Sequence, residues 1–146
     1  MKNVYQLPCM EQEKMVLANW TAQNTFFNGI PYSFNSRFEN EDGKVDANPE
    51  ELIVTAHNGC FAMALSFIIS GAGFTPDALK VDAAVTLNSV EDGFAITGIN
   101  LQLRGKVSGK DETTCMEIAI EAKEVCPVSK ALHSVPIYLD AKFTVF

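Results

Sequence analysis

Residues 48–73 read Asn-Pro-Glu-Glu-Leu-Ile-Val-Thr-Ala-His-Asn-Gly-Cys-Phe-Ala-Met-Ala-Leu-Ser-Phe-Ile-Ile-Ser-Gly-Ala-Gly. This stretch predicts a helix with both ends written in. Asn48 can cap it, Pro49 suits the first helical position, and Glu51 completes an approximate capping box three residues after the cap. Gly71-Ala72-Gly73 supplies the stop. From Phe61 to Ile69 the helix is apolar nearly all the way round, so it must be covered on every side. One sheet of a chain of 146 residues covers one side only. A further surface, such as a second subunit, is expected to cover the rest.

Working outward, Val81, Ala83, Val85 and Leu87 alternate as a strand, and Glu91-Asp92-Gly93 makes a turn. The next strand runs roughly from Phe94 to Val107. Its apolar positions are even-numbered at Phe94 and Ile96, then odd-numbered at Ile99, Leu101 and Leu103. That parity slip beside Gly98 predicts a β-bulge. Asp111 can cap a second helix with Cys115, Ile118, Ala119, Ala122 and Val125 on one stripe. Pro127 opens a short helical turn through Leu132, and Ile137, Leu139, Ala141, Phe143 and Val145 alternate as a last strand. Upstream, Asn28-Gly29 is a hairpin signal. Tyr32, Phe34 and Phe38 then alternate with polar residues, which turns Arg37 away from the aromatic side. The first 27 residues are atypical and least legible. Strands and helices mix without a βαβ rhythm, so the expected class is α+β, in one domain spanning 1–146.

Composition narrows the partners. The chain is 47% apolar, and eighteen acidic against eleven basic residues leave a net charge of −7. It is too apolar for intrinsic disorder and too acidic for nucleic acid or an anionic membrane surface as its main partner. The N-terminus has no apolar core of signal-peptide length, and the run Cys60–Ile69 is shorter than the ~20 residues that span a bilayer. A cytoplasmic location is therefore expected, where the four cysteines stay reduced and matter through packing, metal binding or redox chemistry.

Cys60 sits mid-helix after Gly59, a residue that costs about 1 kcal/mol there relative to alanine and leaves open space beside the thiol. Cys126 takes the cap position before Pro127, where unpaired N–H groups favour a thiolate. Cys115 falls on an apolar stripe and reads as core; Cys9 has no assigned role. His57 shares a helix face with Cys60. With Cys126 and His133 the two could be written as a metal set, but no C-x-x-C or H-x-x-x-H pair supports one. Glu50 precedes Cys60 by ten residues, about 15 Å along a straight helix. It can act through Arg37 or reach the Cys60 of another chain, but not its own. Spacing alone leaves two candidate reactive thiols and no reaction.

The motifs add more. Asn48-Pro49-Glu50-Glu51-Leu52, Ala56-His57-Asn58-Gly59-Cys60-Phe61 and Cys126-Pro127-Val128-Ser129 together resemble the OsmC/Ohr family of thiol-dependent hydroperoxide reductases. Pro31-Tyr32-Ser33-Phe34-Asn35-Ser36-Arg37-Phe38 is similar to the family's arginine-bearing strand, and His57 points to the OsmC branch. The likeness covers about residues 28–146; Trp20 alone hints at the family's opening strands.

The resemblance implies antiparallel sheets packed on a long central helix, in an intertwined homodimer. It implies a cysteine-based peroxidase acting on organic hydroperoxides, and in part on hydrogen peroxide, in oxidative or osmotic stress defence. Cys60 would be the peroxidatic thiol, Cys126 its resolving partner in a disulfide, and Arg37 and Glu50 the polar pair that tunes Cys60. No cofactor or metal is implied, only an external dithiol reductant, lipoyl-type compounds being one such class. A non-catalytic binder of small apolar ligands and a redox sensor of the same fold are the alternatives.

Overall fold

The computed structural model describes residues 19–22, 30–33 and 48–144. The chain divides into two compact units, Met1–Leu52 and Ile53–Phe146. In the first, strand β1 (Asn19–Ala22) pairs antiparallel with β2 (Ile30–Ser33), with Ala22 opposite Ile30. The Asn28-Gly29 hairpin signal falls on residues 23–29, which lie outside the described residues. β1 contains Trp20, the one residue of the least legible segment that hints at opening strands. The alternation at Phe34–Phe38, Arg37 and Cys9 lie outside the described residues.

Helix α1 (Pro49–Gly71) begins in the first unit and continues into the second. Its start is a reciprocal capping box. The Glu51 N–H donates to Asn48 Oδ1 at 2.9 Å, and the Asn48 N–H donates to Glu51 Oε2 at 3.1 Å, which satisfies two otherwise unpaired donors. Its end is a Schellman turn. Gly73 adopts φ 83°, and the Phe74 N–H reaches back to the Ile69 carbonyl at 3.1 Å.

The second unit is a three-stranded sheet covered on one face by helices. β3 (Ala78–Val90) and β4 (Gly93–Lys106) form a hairpin closed by Glu91-Asp92. Thr86 faces Gly98 while Leu87 faces Ile96. Thr97 is thus the extra residue of a bulge, where the parity slip predicts one. Helix α2 (Glu112–Val125) follows, and the Asp111 side chain caps it by accepting from the Thr114 N–H at 2.9 Å. Its buried stripe is Cys115, Ala119 and Ala122, continued by Cys126; Val125 is exposed, so the expected stripe is wrong at its last position. Helix α3 (Pro127–Ala131) leads to β5 (Ile137–Thr144).

β5 runs parallel to β4, from Ile99 opposite Ile137 to Lys106 opposite Thr144. The α+β architecture stands, but the sheet is mixed and not wholly antiparallel. A parallel neighbour needs a crossover, and α2 and α3 provide it. Odd-numbered side chains of all three strands meet Phe61, Leu65 and Ile69 of α1 and the buried stripe of α2 in one core. The other face is polar, with ion pairs Lys80–Asp82 at 3.1 Å and Arg104–Asp140 at 3.0 Å.

The described residues cover α1 only in part. Met63 is 75% exposed and Phe67 81% exposed, as expected for a helix that needs a second cover. With 23 residues and a mean hydropathy of 1.8 it is also long and apolar enough to cross a bilayer. This departs from the expectation based on the shorter run Cys60–Ile69. Its Phe61–Leu65–Ile69 face nevertheless enters the core, and His57 and Asn58 bond inside the fold, which marks it as a core helix.

Candidate active site

The site is built where α1 meets the start of α3. On α1, three residues separate His57 from Cys60; on the cap and first turn of α3, three separate Cys126 from Ser129. Equal spacing puts each pair on one helical face, and the two faces oppose each other. Cys126 Sγ and Cys60 Sγ approach to 2.8 Å although 66 positions separate them in sequence. One turn away, His57 Nε2 and Ser129 Oγ lie 2.7 Å apart in a buried hydrogen bond. Asn58 Nδ2 donates to the Val81 carbonyl at 2.9 Å and ties the same stretch of α1 to β3.

The two sulfurs differ in surroundings. Cys126 has no exposed surface, whereas Cys60 is half-buried. Cys126 caps α3, and its sulfur accepts from the Ser129 N–H at 3.5 Å, as the sequence position before Pro127 predicts. Burial pushes the Cys60 thiol up, and contact with Cys126 adds to this; the Val128 N–H pulls the other way. Burial also acts to raise Cys126. There, hydrogen bonds from the Cys60 thiol and from the Ser129 N–H and hydroxyl outweigh it and hold Cys126 below the ordinary thiol range. The pair thus gives up its first proton readily and its second with difficulty. Among the described residues, the donors that hold the resulting charge gather on Cys126.

Glu50 is buried in the first turn of α1. Arg37, its expected partner, lies outside the described residues. Cys115 is buried in the core, and burial raises its thiol as well. His133 does not join the other three members of the metal set. It is exposed, and its ring is held by the Lys130 carbonyl at 2.9 Å from Nδ1. Ser129 is the residue sequence reasoning did not single out. The signal was its spacing from Cys126, which repeats that of His57 from Cys60.

Fold and site together define an α+β protein organised around a facing pair of cysteines. The family model of OsmC-like proteins matches residues 41–140. Peroxiredoxin OsmC of Escherichia coli (strain K12) is 46% identical over 114 residues, 78% of each chain. The organic hydroperoxide resistance protein of Xanthomonas axonopodis pv. citri is 29% identical over 85 residues, 58% of each chain. Among solved structures, the organic hydroperoxide resistance protein OhrB of Bacillus subtilis superposes with a TM-score of 0.57 at 27% identity, covering 70% of this chain and 76% of that one. A hypothetical protein from Aquifex aeolicus superposes with a TM-score of 0.68 at 12% identity, over 94% and 92% of the two chains, a likeness of fold alone. The chain belongs to the OsmC family.

Proposed function

We propose that this chain is a thiol-dependent peroxidase that reduces organic hydroperoxides, with some activity on hydrogen peroxide, in defence against oxidative or osmotic stress. The observation that carries the reading is the 2.8 Å approach of Cys60 and Cys126, with only the first sulfur open to solvent. A hydroperoxide reaches Cys60; it does not reach the enclosed Cys126. The enzyme class also rests on the likeness to E. coli peroxiredoxin OsmC.

The Cys60 thiolate attacks the outer oxygen of the O–O bond. The alcohol leaves as alkoxide and takes a proton from solvent, and Cys60 becomes a sulfenic acid. Cys126 then attacks the Cys60 sulfur, the S–S bond forms, and the oxygen departs as water. An external dithiol, a lipoyl-type compound being one candidate class, returns both thiols. Cys60 needs help to ionise, because burial and its neighbour both act against its thiolate. Arg37, permanently charged and oriented by the Glu50 carboxylate, is assigned that role. The chemistry needs no metal or prosthetic group.

The exposed Met63 and Phe67 of α1 support a homodimer in which a second copy covers this helix. The whole chain, residues 1–146, is taken to work as one domain in the cytoplasm.

The test is hydroperoxide consumption with a dithiol reductant, comparing wild type with Cys60→Ser and Cys126→Ser. Loss of turnover is expected in both. Full activity in Cys60→Ser would overturn the enzyme reading in favour of a non-catalytic ligand-binding protein.

A further inference from the structure

The proposed route assigns no role to the buried hydrogen bond between His57 and Ser129. His57 has no exposed surface and Ser129 is 7% exposed. The two are 2.7 Å apart, while His57 Nδ1 is buried with no hydrogen-bond partner among the described residues. An orphan ring nitrogen fixes the tautomer. A bare acceptor lone pair is tolerated in a protein interior far more often than an orphan N–H. The ring hydrogen therefore sits on Nε2 and is donated to Ser129 Oγ. With its oxygen occupied as acceptor, the Ser129 hydroxyl keeps its own hydrogen to donate, and the Ser129 side chain acts to favour the Cys126 thiolate. The Ser129 N–H reaches the same sulfur at 3.5 Å.

We propose that His57 is a positioning residue and Ser129 a catalytic residue of the resolving step, the imidazole aiming the serine hydroxyl so that Ser129 holds Cys126 as the attacking thiolate. The inference rests on the disulfide route above and deepens it. Before peroxide arrives, the two sulfurs share one hydrogen bond. Once Cys60 is a sulfenic acid that thiol–thiol bond is gone, and Ser129 supplies the remaining side-chain support. Cys126 releases its proton, its sulfur attacks Cys60, the S–O bond breaks, and the departing hydroxide takes up one proton to leave as water. The step is balanced without a further oxidant or base.

The experiment mixes reduced full-length protein with one equivalent of organic hydroperoxide. It follows Cys60 sulfenic acid by 1,3-dione trapping and the Cys60–Cys126 disulfide by intact mass. Ser129→Ala and His57→Leu are expected to slow disulfide closure at least about tenfold more than they slow Cys60 oxidation, as befits loss of a charge-assisted hydrogen bond. Ser129→Thr and His57→Gln, which keep a donor in place, should restore most of the closure rate, a rescue that mere packing does not predict. Closure at the wild-type rate in Ser129→Ala removes both residues from the step. That single truncation decides the matter even if His57→Leu does not fold. If wild-type protein forms no Cys60–Cys126 disulfide, the route itself falls and this assignment falls with it.

Discussion

Burial holds His57 neutral by penalising its charged form, so its pKa lies below the ordinary 6.5. The sign of the stability effect follows directly. Below pH 6.5 the unfolded chain takes up a proton that the folded protein refuses, so stability is full above 6.5 and falls as pH drops. His57→Gln cannot titrate, and is expected to flatten urea-unfolding stability between about pH 6.5 and 5. Asp77 and Asp111, both held below their ordinary 3.8, act in a more acidic window and leave this slope to the histidine. Individual residues were unevenly legible. Capping by Asn48, Glu51, Asp111 and Cys126 could be read locally, because each bond spans three residues. The pairing of Cys60 with Cys126 could not, because a contact across 66 positions leaves no periodic trace. Family likeness alone pointed to it.

Elements were legible in proportion to the length of their pattern. α1, β3, β4 and α2 each carry enough turns or alternations to declare a period, and even the bulge at Thr97 shows as a change of parity. β1 is four residues long, too short for alternation to stand out. The direction of β5 was hidden for another reason: inward-facing residues recur every second position whether a strand runs parallel or antiparallel. The crossover that makes β5 parallel also brings its Phe143 against Gly105 of β4. A Cβ added at Gly105 would lie 2.6 Å from Phe143 Cε1 and 3.3 Å from Leu79 Cδ2. Gly105→Ala is therefore expected to lower stability by about 2 kcal/mol, since a buried ring must move to make room. Denaturant midpoints measure it.

Across the molecule, the decisive feature is the part of α1 that the described residues do not cover. A helix apolar on nearly every face demands two partners; among the described residues the three-stranded sheet and α2 serve one face, with Met63 and Phe67 exposed. The sequence announced the demand without naming the second partner, because a hydrophobic pattern records need and not identity. In the proposed homodimer that partner is another copy. Phe67→Asp is then expected to convert the dimer to a single 16.0 kDa chain, measured by sedimentation or light scattering. It should leave the helical content of the subunit in place.

The 66-residue separation of the two thiols has a consequence for durability. A bond between them ties off a long stretch of chain, and the lost freedom of the unfolded state is worth about 4 kcal/mol of resistance to unfolding. On the proposed cycle, each turnover raises the global stability of the subunit and each reduction lowers it again. The spent, oxidised molecule is the sturdier one. The form armed to meet peroxide is the one more open to proteases and heat.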